Sequence, residues 1–223
     1  MTRTALVTGV SSGIGHAVAV RLLKEGWHVV GVSRRRPDLD GLRWIEADLA
    51  APGAVEEVAA QAGPVDAVVH AAGLQFSGPL GTLDHAHGEL MWRLHVDAPT
   101  RLLDALAGGL PDGARVVLIG SRTATGVAGK SQYVATKSAL VGLARSWAME
   151  LAPRRITVNV VAPGPTATPM LADPGRAATP PRLPALGRFV EPDEVAGLTA
   201  FLLGDEGGSI TGQQLVICGG ASL

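Results

Sequence analysis

Tyr133 and Lys137 are the two residues of this chain whose types and spacing indicate acid–base chemistry. They lie four positions apart in a stretch of helical periodicity, so the phenol and the ammonium are expected on one helix face in adjacent turns. A nearby cation favours the phenolate and lowers the pKa of a phenol from its usual value of about 10. Such a phenol can exchange a proton with a carbonyl oxygen, although the same spacing is also typical of a surface pair. Tyr133 is the only tyrosine in the chain.

A glycine-rich turn is predicted at residues 8–15, between the first predicted strand and the first predicted helix. Glycines let the backbone approach a pyrophosphate closely, and a helix N-terminus supplies unpaired N–H groups. The glycine spacing differs from the G-x-G-x-x-G of two-domain dehydrogenases. The turn predicts a dinucleotide phosphate site, with a plain strand-to-helix turn as the alternative. The residues expected to hold the phosphates are Gly9, Ser11, Ser12, Gly13, Ile14 and Gly15.

A basic turn follows the second predicted strand, about 20 residues further on, where a dinucleotide fold meets the adenosine ribose. A carboxylate at this place would bind a free 2′-hydroxyl, but the chain has Ser33, Arg34 and Arg35. A guanidinium binds a phosphate through two parallel hydrogen bonds, and the Ser33 hydroxyl can add a donor. The sequence therefore favours NADPH or NADP+ over NADH. A solvated basic turn without a ligand is the alternative.

The elements that must position these residues are short Val-rich runs alternating with longer segments of helical periodicity. This pattern predicts an α/β fold, a doubly wound parallel sheet of about seven strands flanked by about six helices. The segment 163–184 holds seven of the fifteen prolines, which predicts a lid or binding loop, with a segment of no function as the alternative. Strands are expected at 4–8, 28–33, 43–46, 67–70, 115–119, 156–161 and 214–217, and helices at 13–25, 51–61, 83–106, 131–151 and 191–203.

Composition argues against several classes of protein. The 19 Lys and Arg balance 20 Asp and Glu, so neither nucleic acid nor an anionic membrane is an expected partner. No apolar run approaches the roughly 18 residues that a membrane span needs. The single cysteine, Cys218, cannot form an internal disulfide and is expected to be a small buried hydrophobe. A cytoplasmic location is therefore expected.

In this order and at these separations, the motifs resemble the short-chain dehydrogenase/reductase family, in its single-domain Rossmann branch with Ser-Tyr-Lys chemistry. The resemblance covers essentially the whole chain and implies one domain over residues 1–223. The family's cofactor turn matches residues 8–15, and its Tyr-x-x-x-Lys matches Tyr133 and Lys137. Its Asn-Asn-Ala-Gly is matched in part by residues 70–73 (HAAG), and its serine after the fifth strand by Ser121.

The resemblance implies a role for each matched residue. Tyr133 would be the general acid in reduction, Ser121 would hydrogen-bond the substrate carbonyl, and Lys137 would bind the nicotinamide ribose. The adenine-side aspartate of the family is matched by Asp48. Further residues expected to bind the cofactor are Leu49, Ala71, Ala72, Gly73, Tyr133, Lys137, Pro163, Gly164, Thr166 and Thr168.

Three departures from the family pattern bear on the chemistry. His95 stands where the family commonly has an asparagine of a proton relay, so a pH dependence through His95 is expected, with simple packing as the alternative. His70 and Ala71 replace two family asparagines. The interval from Ser121 to Tyr133 is one residue shorter than usual, which makes Thr123 a weak substitute for Ser121.

The sequence thus predicts an NADPH-dependent oxidoreductase that acts on a small-molecule ketone or secondary alcohol. The three-residue gap between Tyr133 and Lys137 differs from the longer one of the enoyl reductases. The alternative is an NADP(H)-binding regulatory or sensor protein with little or no turnover. A substrate pocket is expected from residues 74–76, 123–127 and a Pro-rich lid at about 165–188. The resemblance implies a homo-oligomer, a tetramer or dimer, and the diverging His85 and His87 predict no metal site.

Overall fold

The computed structural model describes residues 2–173 and 179–223, and their strands form one parallel sheet. The strands are Thr4–Thr8 (β1), His28–Ser33 (β2), Leu42–Glu46 (β3), Ala67–His70 (β4), Arg115–Ile119 (β5), Thr157–Pro163 (β6) and Gln214–Ile217 (β7). Their order in the sheet is β3-β2-β1-β4-β5-β6-β7, and every neighbouring pair is parallel.

Helices cover both faces of this sheet. They are Gly13–Lys24 (α1), Ala54–Ala62 (α2), His85–Trp92 (α3), Ala98–Ala107 (α4), Ser131–Leu151 (α5) and Pro192–Leu203 (α6). The apolar core on one face joins the sheet to α2, α4 and α5, and the core on the other face joins it to α1 and α6. This arrangement confirms the predicted α/β class with a doubly wound sheet of seven strands.

Burial on both faces explains the Val-rich strands. β6, with the sequence TVNVVAP, is buried at every residue, its polar Thr157 and Asn159 included, because helices cover both faces of the sheet. β1 and β4 lie in the middle of the sheet, and Thr8 and His70 form the last pair of their register. The strand order reverses between β1 and β4. In open α/β sheets the crevice outside the carboxyl ends at such a reversal is the usual ligand site.

The helix expected over residues 83–106 is interrupted, which corrects that prediction. A π-helical turn, Arg93–Asp97, separates α3 from α4, and the Ala98 N–H bonds to the carbonyl of Arg93, five residues back. Pro99 follows directly, and proline has no N–H to donate to the His95 carbonyl and would clash with it in a regular α-helix. The wider turn avoids that clash.

Other helix and strand boundaries differ from the predicted ones by a few residues. β3 begins at Leu42, β6 runs over Thr157–Pro163, and α2 begins at Ala54 because Gly53 adopts a left-handed conformation before it. Cys218 is half-buried rather than buried, and its thiol lies 3.4 Å from Oγ of Ser222. None of the helices in the described residues is long and apolar enough to cross a bilayer.

The Pro-rich segment expected as a lid is anchored at both of its ends. Thr166 and Val190 form an isolated bridge, and the Val190 N–H donates to the carbonyl of Pro165 at 2.9 Å. Pro169–Ala172 forms a short 3-10 turn. Residues 174–178 of the expected lid lie outside the described residues. The described ends of the segment thus lie next to each other, directly after β6.

Candidate active site

A cavity of about 790 Å³ lies at the carboxyl ends of the central strands. The structure brings together at this cavity all the residues that the sequence predicted for catalysis and cofactor binding. The expected catalytic residues that line it are Ser121, Tyr133, Lys137 and His95. The expected cofactor residues that line it are Gly9, Ser11, Ser12, Gly13, Ile14, Gly15, Ser33, Arg34, Arg35, Asp48, Leu49, Ala71, Ala72, Gly73, Pro163, Gly164, Thr166 and Thr168.

The glycine-rich turn forms one wall because side chains would not fit there. Gly9 has a φ of 76°, and a Cβ on it would lie 2.9 Å from the backbone of Ala72. A Cβ on Gly15 would clash with the carbonyl of Gly9. The first turn of α1 contains no acidic residue, and Ser12 makes no side-chain capping bond within the described residues. The N–H groups of that turn therefore suit an anion such as a pyrophosphate.

The adenosine end of the cavity carries the exposed Arg34 and Arg35. The Ser33 hydroxyl donates to the carbonyl of Arg35 at 2.7 Å and accepts from Nε1 of Trp44 at 3.1 Å. These two hydrogen bonds order the backbone of the arginine turn at the wall of the cavity. Asp48 accepts from the N–H of Ala50 at 3.1 Å.

His70 is fully buried and connects the end of β1 to the π-helical turn. Thr8 Oγ1 accepts from the N–H groups of Ala71 and Ala72 at 3.1 and 3.0 Å and lies 3.1 Å from Nδ1 of His70. Because both lone pairs of the Thr8 hydroxyl accept backbone N–H groups, the hydroxyl donates its proton to Nδ1 of His70. The ring proton of His70 is then on Nε2, which donates to the carbonyl of Leu94 at 3.0 Å. Burial, assisted by the charge of Lys137, lowers the pKa of His70 to about 3.

His95 connects the same turn to the helix that carries Tyr133. Its Nε2 accepts from the N–H of Leu74 at 3.1 Å, so Nδ1 carries the proton and donates to Oγ1 of Thr136 at 2.9 Å. Thr136 donates in turn to the carbonyl of Tyr133 at 2.8 Å. Burial and the charge of Lys137 lower the pKa of His95 well below its usual value. The imidazole is thus neutral near pH 7, which argues against the expected pH dependence through His95.

Lys137 and Tyr133 lie on one face of α5, as predicted. The Lys137 ammonium is 5% exposed, donates to the carbonyl of Ile119 at 2.9 Å and lies 5.8 Å from the centre of the Tyr133 ring. Burial lowers the pKa of Lys137 to about 7. The edge of the His95 ring meets the Tyr133 ring at a centroid distance of 5.7 Å. The phenol is therefore held between a cation and a neutral imidazole.

Ser121 and Thr123 form a hydroxyl pair at the end of β5. Their oxygens are 2.9 Å apart, and Ser121 Oγ also accepts from the N–H of Thr123 at 3.2 Å. Both side chains are buried and line the cavity. The short interval before Tyr133 therefore does not remove Ser121 from the site.

The loop after β6 closes the site against α1. A Cβ on Gly13 would lie 3.3 Å from Cγ2 of Thr168, so this loop touches the phosphate turn. Thr166 donates its hydroxyl proton to the carbonyl of Gly164 at 3.0 Å. Of these two threonines, Thr168 is the one whose side chain lies against the glycine-rich turn.

Part of the expected substrate pocket lies elsewhere. Leu74, Gln75, Thr123 and Val127 line the cavity, but Phe76 stacks on His87 with ring centroids 3.7 Å apart. Within the described residues, no cluster of three His, Cys, Asp or Glu side chains could hold a metal ion. Residues at the cavity that the sequence did not suggest include Leu90, Arg122 and Lys130, whereas Gln75, Met170 and Arg182 fall in the expected pocket and lid. No motif marks the first three, because they come from three separate segments.

The fold and this site define an α/β protein of the nicotinamide-dinucleotide-binding class. A family model described as enoyl-(acyl carrier protein) reductase matches residues 9–222. The chain belongs to the short-chain dehydrogenase/reductase family, a family of oxidoreductases that bind nicotinamide cofactors. The resemblance read from the motifs is thereby confirmed.

Three similar proteins illustrate the breadth of the family. The chain is 34% identical to L-xylulose reductase of Bos taurus over 98% of this chain and 96% of that protein. It is also 34% identical to the cyclic-di-GMP-binding biofilm dispersal mediator protein of Escherichia coli (strain K12), over 97% and 96% of the two chains. A solved blue fluorescent protein from a metagenomic library, in complex with NADPH, superposes with a TM-score of 0.87 at 35% identity and covers 99% and 98% of the two chains.

Proposed function

We propose that this chain is an NADPH-dependent reductase of ketones, or the corresponding dehydrogenase of secondary alcohols, with Tyr133 as the general acid and base. The observation that carries the proposal is the placing of Tyr133, Ser121 and Lys137 in one cavity with Arg34 and the glycine-rich turn. The first three residues suit proton transfer at a carbonyl, and the last two suit the phosphates of NADPH.

The residues at the cavity fit a phosphorylated dinucleotide. The tight packing at Gly9 and Gly15 brings the N-terminus of α1 to the cavity wall, where its N–H groups would hold a pyrophosphate. Arg34 and Arg35 would hold the 2′-phosphate, and Asp48 would lie on the adenine side. Lys137 would hold the nicotinamide ribose, and Thr168 its carboxamide. When bound, the nicotinamide supplies the hydride to the carbonyl carbon or accepts it in the reverse direction. The relative whose structure contains NADPH supports this cofactor.

The protein's own part in the reaction is the movement of one proton. In reduction, the carbonyl carbon gains the hydride while Tyr133 gives its phenolic proton to the carbonyl oxygen. Ser121 donates a hydrogen bond to the same oxygen as negative charge develops there, and Thr123 holds the Ser121 hydroxyl in place. The Lys137 cation stabilises the tyrosinate that is left behind.

His95 acts through other residues in this mechanism. Its two ring nitrogens join Leu74 to Thr136, so the imidazole fixes the loop beside the substrate against the first turns of α5. A neutral imidazole with both nitrogens engaged positions Tyr133 and Lys137 but does not carry the transferred proton. His95 is accordingly proposed as a positioning residue of the site.

We also propose that the chain is one domain with a Pro-rich lid, acts in the cytoplasm and assembles as a homo-oligomer. The continuous sheet and the anchored ends of the segment after β6 support the domain and the lid. Exposed apolar side chains, among them Phe201 on α6 and Val216 on β7, support an interface between copies. Sedimentation equilibrium tests the assembly, and a monomer at micromolar concentration contradicts it.

The decisive experiment follows NADPH oxidation by the purified protein with a panel of ketones. Turnover is expected, and Tyr133→Phe is expected to lower kcat by about 10²- to 10⁴-fold while NADPH binding, measured by fluorescence, is kept. The regulatory alternative is supported instead if NADPH binds and no ketone is reduced. Faster reduction of an enoyl thioester than of any ketone would overturn the proposed reaction.

A further inference from the structure

We infer that the substrate carries a negatively charged oxyacid group, such as a carboxylate or phosphate, which Lys130 and its polar neighbours bind beside Tyr133. This inference rests on the proposed function, because it names the class of ketone that the same cavity would take. It concerns residues for which the motifs of the chain give no role.

The charges around the cavity are divided between its two ends. Among the described residues at the cavity wall, the cations near Tyr133 in the sequence or on the segments that meet there are Lys137, Lys130, Arg122 and Arg182. Of the described residues that line the cavity, Asp48 is the only carboxylate, and it lies at the adenosine end next to Leu49 and Ala50. The segment 174–178 contains no Asp or Glu in its sequence. A positive potential at the substrate end favours an anionic ligand over a neutral one.

Lys130 is the central cation of this group. It directly precedes α5, three residues before Tyr133, and is only 8% exposed. An ammonium at a largely water-excluded wall attracts an anion more strongly than an ammonium in bulk water does, because the effective dielectric constant is lower. Lys130 therefore suits binding of the substrate's charge rather than solubility of the surface.

Polar atoms without partners surround the same place. Within the described residues, the buried side-chain atoms that lack a hydrogen-bond partner include Nε2 of Gln75, Nε of Arg122 and Oγ1 of Thr179, and all three residues line this cavity. Buried N–H groups are nearly always hydrogen-bonded, so an orphaned group indicates a missing acceptor. The nitrogen atoms of Gln75 and Arg122 are donors, and an oxyanion provides several acceptor positions.

Three segments meet beside Lys130 and bring these groups to one wall. The Gly78 N–H donates to the carbonyl of Gly129 at 2.9 Å, which ties the loop of Gln75 to the residue before Lys130. A Cβ on Gly129 would lie 2.8 Å from Cγ2 of Thr179, so the segment that leads to Arg182 packs at the same point. The site is thus built from the loop after β4, the loop before α5 and the segment after residue 178.

The position of Lys130 limits the distance between the anion and the ketone. Lys130 is the N-cap of α5, three residues before Tyr133, so both side chains start from the same end of that helix and both line the cavity. With the carbonyl oxygen at the Tyr133 phenol, an anionic group a few atoms along the substrate from the carbonyl carbon would reach Lys130. Ketones with the charge at this distance are the expected substrates.

The test compares ketones that differ only in charge. The probes are 3-oxobutanoate, 4-oxopentanoate and 5-oxohexanoate, each with its amide, and dihydroxyacetone phosphate with dihydroxyacetone. For at least one pair, kcat/KM with NADPH is expected to favour the anion by about 10- to 100-fold, the range of a charge-assisted hydrogen bond. A carboxylate-only or phosphate-only preference identifies the group, and equal kcat/KM within every pair overturns the inference.

Substitutions test which residue causes the preference for the anionic over the neutral ketone. Lys130→Gln is expected to remove most of this preference, Lys130→Arg to keep it, and Arg182→Gln to weaken it. Lys24→Gln makes the same chemical change at an exposed position of α1 and is expected to change nothing. An unchanged preference in Lys130→Gln overturns the assignment.

Two further measurements keep the test decisive if Lys130→Gln does not fold. In the parent protein, the preference is expected to fall as sodium chloride is raised, because salt screens the attraction. By calorimetry, 4-hydroxypentanoate is expected to bind the NADP+ complex more tightly than its amide, and equal affinities contradict the inference. If no ketone, charged or neutral, oxidises NADPH, the proposed function itself fails. If neutral ketones react as well as charged ones, only the anion site fails.

Discussion

Nδ1 of His95 lies 2.9 Å from Oγ1 of Thr136, within the helical turn that separates Tyr133 from Lys137. The other ring nitrogen holds the N–H of Leu74, so one buried imidazole bridges the loop after β4 and the catalytic helix. The bridge depends on a neutral ring, since Nε2 must accept a hydrogen bond.

His95→Asn is expected to lower kcat by about 10-fold, because the shorter amide cannot span both partners and the phenol loses its alignment. The pH–rate profile is expected to keep its shape, because the parent imidazole is already neutral over the working range. The measurement compares normalised profiles, with His85→Asn, an exposed histidine at the start of α3, as the control. A profile that changes shape between pH 5.5 and 7.5 would show that His95 titrates during turnover.

The two buried histidines predict a loss of stability in acid. Their pKa values in the fold lie below the unfolded value of about 6.5, so the unfolded chain binds more protons as pH falls below 6.5. Stability is therefore complete above that pH; protonation of His70 in the unfolded chain removes about 2 kcal/mol by pH 5, and that of His95 lowers stability in the same direction. Urea unfolding at pH 7.5 and 5.0 measures the loss.

The double variant His70→Asn/His95→Asn is the matched comparison for this acid effect. It is expected to be less stable than the parent at pH 7.5, because hydrogen bonds are lost, and to change less between the two pH values. His85→Asn is expected to leave the parent's pH dependence intact. The explanation is wrong if the double variant loses as much stability in acid as the parent.

Tyr133 can be titrated directly because it is the only tyrosine. The Lys137 ammonium 5.8 Å from its ring favours the phenolate, and the phenolate in turn favours the ammonium against the burial that lowers the Lys137 pKa. Tyrosinate absorbance is therefore expected to appear at lower pH in the parent than in Lys137→Met. Lys24→Met is the control, and identical titrations of all three proteins would remove Lys137 from the proposed mechanism.

The arginine turn offers a matched test of cofactor choice. Arg34→Ser and Arg35→Ser are each expected to raise KM for NADPH by about 10-fold or more, because a charge-assisted contact to the 2′-phosphate is lost. KM for NADH is expected to stay nearly constant. Arg36→Ser is the control, since Arg36 lies over the ring of Trp44, 6.0 Å from its centre, and does not line the cavity. A larger effect of Arg36→Ser than of the other two would contradict the assignment.

Substitutions in the hydroxyl pair at the end of β5 test whether Ser121 or Thr123 donates the hydrogen bond to the substrate carbonyl. Ser121→Ala is expected to lower kcat by about 10²-fold, as for loss of an oxyanion donor. Thr123→Val leaves Ser121 in place and is expected to cost about 10-fold or less, since only the orientation of the Ser121 hydroxyl suffers. If Thr123→Val is the more damaging change, the two roles are reversed.

Local patterns in the sequence predict the sheet well. Six of the seven strands contain valine, four of them at least twice, and all seven predicted positions match the structure to within two residues. The sequence also correctly places Gly9 in the turn between β1 and α1, and Tyr133 near the start of α5. These features depend on neighbours in sequence, which is why the sequence alone reveals them.

Features that depend on contacts distant in sequence could not be predicted in this way. The Ser33 hydroxyl is engaged by Trp44, eleven residues away, and the low pKa of His95 follows from burial that no local pattern records. Lys130 and Arg122 reach the cavity from two separate loops, although no motif marks either residue. Their proximity is a property of the fold, so it required the structure.

The wide turn between α3 and α4 has a consequence for the evolution of this site. A π turn accommodates one additional residue while the helices on both sides keep the phase of a continuous α-helix. Deleting Val96 would replace the wide turn by a regular α-helical one, in which Pro99 clashes with the preceding turn and the imidazole of His95 moves away from Leu74 and Thr136. One added residue therefore serves the scaffold and the site together, and a single-codon deletion here would disturb both.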